Sequence, residues 1–170
     1  SSAASDVYKR QVLARALIIN PKFVVADEPV SMLDVSVRAG ILNAFNEAKS
    51  RMNFTAIYIS HDLALVKYVC ERTIVMYLGS IVEDGPTSEV INNPQHPYTK
   101  SLLRSVPDLG ERKPFEPLIG DVPSPIQPPA ACNFHPRCPI YLEEEQGSSL
   151  AKKCTMTYPE ISGDKNRFVR

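Results

Sequence analysis

Lys22-Phe23-Val24-Val25-Ala26-Asp27-Glu28-Pro29 is a short apolar run that ends in two acids and a proline. An apolar run of this length without alternation is what a parallel strand buried on both faces presents. Downstream, Asp34 is placed to cap a helix reaching about Met52. The apolar residues Val37, Ile41, Leu42, Phe45, Ala48 and Met52 recur along it at helical spacing. Thr55-Ala56-Ile57-Tyr58-Ile59-Ser60 reads as a second strand, and Leu63 to Cys70 as a short helix. Thr73 to Leu78 reads as a third strand, turned by Gly79-Ser80 into Ile81-Val82-Glu83 as a hairpin. Strand, crossover helix and strand, repeated, predict an α/β fold: a parallel sheet flanked by helices and covered on both faces.

The chain has 170 residues, enough for one domain or for one core with an appendage. Nineteen basic and nineteen acidic residues give a formal net charge of zero. That argues against the electrostatic footprint of a nucleic-acid or anionic-lipid binder. The 44% hydrophobic fraction is that of a globular protein, and no apolar run is long enough to span a bilayer. Four irregularly spaced cysteines are too few for a disulfide scaffold, so the default expectation is a soluble intracellular chain.

Residue 1 is Ser, and residues 1–10 show neither strand alternation nor an apolar stripe before the helix-favouring run Val12 to Leu17. These ten residues read as a disordered or foreign junction, with an ordinary polar tail as the alternative and the true upstream sequence missing. Proline marks the other boundary: nine of the 15 prolines lie between Pro107 and Pro139. Small helices are expected over Thr87–Asn92 and Tyr98–Ser105, then little regular structure to Pro129. The organisation read from the sequence is therefore three segments: 1–10; alternating strands and helices over 11–91; and a Pro-rich, Cys-bearing, mostly irregular extension over 92–170.

In open parallel sheets, ligands bind at the carboxyl ends of strands. Asp27 and Glu28 stand there side by side, pointing different ways and so able to do different work. Four apolar residues followed by Asp-Glu resemble the Walker B pattern of nucleotide hydrolases. In that role Asp27 holds Mg²⁺ through water, and Glu28 orients the attacking water. The bland alternative is two acids capping the next turn. Ser31-Met32-Leu33-Asp34 follows at once, and Ser60-His61-Asp62 closes the next strand, His61 falling 33 residues after Glu28. One strand–helix–strand unit separates the two, so both are expected at strand carboxyl ends, where His61 can hydrogen-bond a γ-phosphate. A satisfied structural histidine is the alternative.

Taken together, these motifs resemble the second half of an ATP-binding cassette ATPase, the C-terminal half of a P-loop NTPase cassette. Val12 to Leu17 resembles the helix after the family signature, Phe23 to Glu28 Walker B, Ser31 to Asp34 the D-loop at the dimer interface, and Ser60-His61-Asp62 the switch histidine. Gly79 to Gly85 resembles the closing hairpin. Asn93 to Leu103, Gly120 to Pro125 and Cys132 to Pro139 resemble the C-terminal extension of oligopeptide and dipeptide importer ATPases. The resemblance implies ATP and Mg²⁺ as cofactors, with Glu28 and His61 catalytic and Asp27, Ser31 and Asp34 binding. It also implies a second ATPase subunit, integral membrane permease subunits and an extracytoplasmic solute-binding protein as partners. The implied location is peripheral, on the cytoplasmic face of the membrane, energising uptake of peptides or of nickel and related solutes.

Two departures stand out. The phosphate loop Gly-x-x-x-x-Gly-Lys-Ser/Thr and the signature Leu-Ser-Gly-Gly-Gln are absent from the 170 residues. Without the loop's backbone N–H groups and lysine the phosphates have no cradle, so this polypeptide alone is expected to bind ATP weakly or not at all. Some family members carry four tail cysteines suited to an iron–sulfur cluster, whereas here the tail has three: Cys132, Cys138 and Cys154. A four-thiolate site is incomplete unless His135 or a distant group joins, and reduced structural thiols are the expected state. Cys70 reads as a buried small hydrophobe, His96 as part of a helix-initiating turn outside the core, and Glu143-Glu144-Glu145 as a solvated face. The competing functional readings are a soluble cassette ATPase of DNA repair or translation, and a non-catalytic docking module.

Overall fold

The computed structural model describes residues 2–31, 33, 35–104, 120–164 and 166–170. They form two compact units, residues 1–70 and 71–170. No helix among the described residues is long and apolar enough to cross a membrane.

The first unit begins with α1 (Ser2–Leu17), so residues 2–10, read from the sequence as a disordered or foreign junction, are helical. The residues lack a stripe but not propensity: neither Gly nor Pro occurs before Pro21, and Ala, Leu and Arg recur. Next come β1 (Phe23–Asp27), α2 (Val35–Met52), β2 (Thr55–Ile59) and α3 (Leu63–Val69). Asp34, the expected cap of α2, lies outside the described residues, as does most of the 107–129 stretch. β1 and β2 pair in parallel from Phe23↔Thr55 to Asp27↔Ile59.

Strand alternation decides what each face of this pair meets. Val24, Ala26, Ala56 and Tyr58 turn to a core built with Phe45, Phe54, Leu13 and Leu17. Phe45 lies edge-on to Phe54 at 5.5 Å and tilted against Tyr58 at 5.0 Å. A second cluster holds Val30, Leu33, Ile41, Leu42 and Leu65. The apolar stripe of α2 supplies both clusters. Among the described residues the other face is not covered, where the sequence led to expect cover on both: Phe23, Val25, Ile57 and Ile59 are 53%, 55%, 48% and 49% exposed. Adjacent exposed β-branched and aromatic residues make a sticky surface. Replacing Val25 and Ile57 together by Thr keeps the β-branched shape while weakening that surface. The expected result is less self-association and less hydrophobic-dye binding by the 170-residue polypeptide, with its melting temperature little changed. Sedimentation velocity and dye fluorescence check it.

The second unit holds β3 (Arg72–Tyr77), β4 (Ser80–Pro86), α4 (Thr87–Asn92), α5 (Pro97–Arg104), a 3₁₀ turn (His135–Arg137), α6 (Pro139–Glu143), α7 (Ser149–Met156), β5 (Ser162–Gly163) and β6 (Phe168–Val169). The third expected strand exists but is not a member of the parallel sheet. It belongs to a four-stranded antiparallel sheet in the order β3-β4-β6-β5. Thr73, Val75 and Tyr77 are buried while Ile74 and Met76 are exposed, the pattern of a strand with one packed face. Leu78 and Gly79, at φ 45° and 77°, make a two-residue turn with both centres left-handed, which brings β4 back beside β3. Residues 120–129 form no helix or strand.

The core of this unit is Val75, Tyr77, Val82, Val90 and Phe134, with Tyr98, Leu102, Cys132 and Cys138 packed against it. Tyr77 and Tyr98 both meet the Phe134 ring, at 5.1 and 5.5 Å. Beside it lies a fully buried carboxylate, Glu83. Its Oε1 accepts from the Gln95 N–H at 3.0 Å and from Arg167 Nη2 at 2.9 Å, and its Oε2 accepts from the His96 N–H at 3.0 Å. Burial pushes the Glu83 carboxyl up, but the hydrogen bonds, those from the Gln95 and His96 backbone foremost, outweigh it and hold the group below its ordinary value. His96 does start the turn into α5, but it is buried (5% exposed), its ring tilted against Phe134 at 5.6 Å, and not outside the core as read from the sequence. Its Nδ1 accepts from the Tyr98 N–H at 3.0 Å. Burial pushes its pKa down to about 4, against the raising influence of Glu83.

Candidate active site

The two strand ends bring Glu28 and His61 together. Asp27 is the last residue of β1 and sits opposite Ile59. Glu28 continues the ladder by one bond, its N–H donating to Ile59 O at 2.9 Å. The chain then turns: Ser31 donates to the Glu28 carbonyl through its N–H at 3.2 Å and its hydroxyl at 3.0 Å. Pro29, at the second position of this turn, suits it because its φ is already set. Val30 and Leu33 anchor the segment in the core, each 4% exposed.

Glu28 itself has φ 45°, a left-handed conformation that costs a bulky residue about 1–3 kcal/mol. The turn, the ladder bond and the apolar anchors impose it. The conformation carries the side chain across to the β2 end. There Glu28 Oε1 lies 2.6 Å from His61 Nδ1 and accepts from the His61 backbone N–H at 3.2 Å. With a carboxylate as acceptor, Nδ1 carries the proton. The His61 side chain is 83% exposed and that of Glu28 36%, so the pair faces solvent. Asp27 is also exposed, on the open side of the sheet with Val25 and Ile59.

The His61 turn is fixed from behind. Ser60 Oγ accepts from the Asp62 N–H at 3.1 Å, and Asp62 Oδ1 caps α3 by accepting from Ala64 N–H and Leu65 N–H at 3.1 and 3.2 Å. Asp62 Oδ2 meets Arg38 Nη1 at 3.3 Å, and Arg38 Nε donates to the Leu33 carbonyl at 2.8 Å. Lys9 Nζ donates to the Ser31 carbonyl. Sequence reading missed Arg38, Lys9 and the Asp62 cap. The capping pattern at Ser60-His61-Asp62 was visible; the links to residues 9 and 38 were not, since nothing local encodes them.

Of the expected binding residues, Ser31 serves the turn below Glu28, and Asp34 lies outside the described residues. In the second unit, Cys132 N–H donates to Cys154 O at 3.2 Å, and Cys132 and Cys138 pack on the aromatic core. Burial pushes the Cys132 and Cys154 thiols up. Among the described residues no group of three or more His, Cys, Asp or Glu is arranged to hold a metal ion. Cys70 caps the C-terminus of α3, half-buried, and burial pushes its thiol up as well.

Residues 82–144 match the family described as oligopeptide/dipeptide transporter, C-terminal region. Over 161 residues the chain is 44% identical to the oligopeptide transport ATP-binding protein OppF of Salmonella typhimurium, covering 92% of this chain and 46% of that protein. Identity to OppF of Escherichia coli is likewise 44% over 161 residues. The dipeptide transport ATP-binding protein DppF of Haemophilus influenzae is 47% identical over 132 residues, covering 76% of this chain and 40% of that protein. The chain thus spans about half the length of the curated relatives it matches. Residues 82–144 are thus similar to the C-terminal region of oligopeptide/dipeptide transporters, in a chain similar over most of its length to ATP-binding proteins of peptide transport.

Proposed function

We propose that Asp27, Glu28 and His61 form the hydrolytic side of the nucleotide site in an ATPase subunit that energises import of peptides or related solutes. The observation that carries this reading is the 2.6 Å contact between Glu28 and His61 at the ends of two parallel strands. The residues fit one side of a bound nucleotide and not its cradle, because the phosphate loop is absent from these 170 residues. A single strand-end carboxylate, Asp27, suits Mg²⁺, which is held mostly by water and substrate phosphate and needs no protein cage. When bound, the ion would neutralise charge developing on the transferred phosphate.

Glu28 then orients and polarises the attacking water. His61, anchored through its backbone N–H to the same carboxylate, offers its ring to the terminal phosphate. Ser31 and Asp34 contribute to the dimer interface with a second ATPase subunit. The domain reading follows: residues 11–91 as the catalytic half and 92–170 as a proline- and cysteine-bearing extension of the importer type. The other partners are membrane permease subunits and, indirectly, an extracytoplasmic solute-binding protein, with the subunit peripheral on the cytoplasmic face.

Affinity purification of the intact subunit from solubilised membranes tests this. Recovery of integral membrane permease subunits is expected; recovery of ribosomes or DNA instead would favour a soluble cassette ATPase. The 170-residue polypeptide alone is expected to release no phosphate above background in a steady-state assay, and appreciable turnover would overturn the half-site reading.

A further inference from the structure

We infer that Arg38 is a positioning residue that holds the segment after Glu28 and the turn carrying His61 in one fixed relation. The inference rests on the functional reading above and deepens it. Arg38 lies in the first turn of α2, and its guanidinium reaches two loops at once, Leu33 O at 2.8 Å through Nε and Asp62 Oδ2 at 3.3 Å through Nη1. Both acceptors are themselves committed. Leu33 is anchored in the apolar core, and the second oxygen of Asp62 caps α3.

The contacts close a ring. Glu28 O holds Ser31, Leu33 O meets Arg38, Arg38 meets Asp62, and the neighbouring His61 returns to Glu28 Oε1 through its N–H and its ring. A displacement of Leu33 therefore reaches the His61 turn through one rigid planar group. The Arg38 and Asp62 side chains are 37% and 34% exposed, where an ion pair adds little to stability. The arrangement is thus suited to setting geometry more than to holding the fold. A guanidinium presents donors from separate nitrogens of one rigid plane to two acceptors in fixed, diverging directions; an ammonium's three donors radiate from a single nitrogen that cannot occupy both positions. Ser31 and Leu33 belong to the stretch proposed to face the second ATPase subunit. Arg38 would make that stretch and His61 move together.

The test uses the intact importer complex, with steady-state ATP turnover for the wild type, Arg38→Ala, Arg38→Lys, His61→Ala, the double variant Arg38→Ala/His61→Ala, and Glu28→Gln. Arg38→Ala and Arg38→Lys are expected to lower kcat about 3- to 30-fold, with KM for ATP within about twofold of wild type. The double variant is expected to be no slower than His61→Ala alone, because Arg38 acts through His61. Losses that multiply in the double variant, or unchanged kcat in both Arg38 variants while Glu28→Gln is inactive, would overturn the inference and leave the functional reading standing. Full turnover by Glu28→Gln would instead overturn the functional reading. If Arg38→Ala fails to assemble, Arg38→Lys carries the same comparison, with a double variant built on it.

Discussion

Glu28→Gln is expected to stop ATP hydrolysis in the intact subunit while leaving nucleotide bound. Gln matches Glu in size, and its Oε1 can still accept from the His61 N–H, the contact that fixes the two strand ends. The left-handed backbone at residue 28 is imposed by the Ser31 turn and the Ile59 ladder bond, neither of which involves the carboxylate. Fold and nucleotide affinity should therefore survive. What is lost is the negative charge that polarises a water. General-base assistance contributes roughly 10²- to 10⁴-fold, so turnover should fall by about that factor. Phosphate release measured beside retention of labelled nucleotide on gel filtration checks both halves of the expectation. Wild-type turnover would remove Glu28 from the chemistry.

Glu83→Ala is expected to unfold much of the second unit. The substitution leaves two backbone N–H groups and the Arg167 guanidinium, otherwise shared with Glu89 and Asn93 O, facing a void in a fully buried place. Removing one partner of a buried ion pair costs about 3–5 kcal/mol, much of a small unit's stability. Thermal melting of the protein should show an early transition absent from the wild type. Glu83→Gln, which keeps an acceptor of the same shape, should lose less.

The same place sets an acid limit. His96 has a folded pKa of about 4, below its ordinary value near 6.5, so between those values the unfolded chain takes up a proton that the folded one refuses. Stability from this group is whole above about pH 6.5 and is lost as pH falls toward 4, an order of 3 kcal/mol. Glu83, with its carboxyl held below the ordinary value of 4.5, adds a further loss below that pH as it protonates. Melting curves taken across this range should therefore decline in two stages. His96→Asn, which can still accept from the Tyr98 N–H, should remove the upper one.

Local pattern made much of the first unit legible. The apolar run before Asp27-Glu28, the second strand and the stripe of α2 describe real elements with nearly the expected bounds. The placement of Glu28 near His61 followed from counting one strand–helix–strand unit. What escaped was non-local or permissive. β3 looked like another parallel strand because its composition is apolar. Its hairpin with β4 was legible in the turn, but its membership of a separate antiparallel sheet was not, because composition does not say which sheet an apolar strand joins. Residues 2–10 carry helix propensity without a stripe, so periodicity was silent. Glu83 lies 84 positions before Arg167, and nothing local to either announces a buried pair. Arg38 is one cation on a helix with a polar face, and only coordinates single it out.

Strand order has a consequence for synthesis. β1 and β2 are joined by α2 alone, so this parallel pair can form while translation continues. The second unit cannot, because the outer edge of β4 pairs with Phe168 and Val169, and Glu83 waits for Arg167. Until those residues leave the ribosome, the nascent chain carries a bare strand edge and a carboxylate bonded only to backbone, which is the interval in which a chaperone has most to bind.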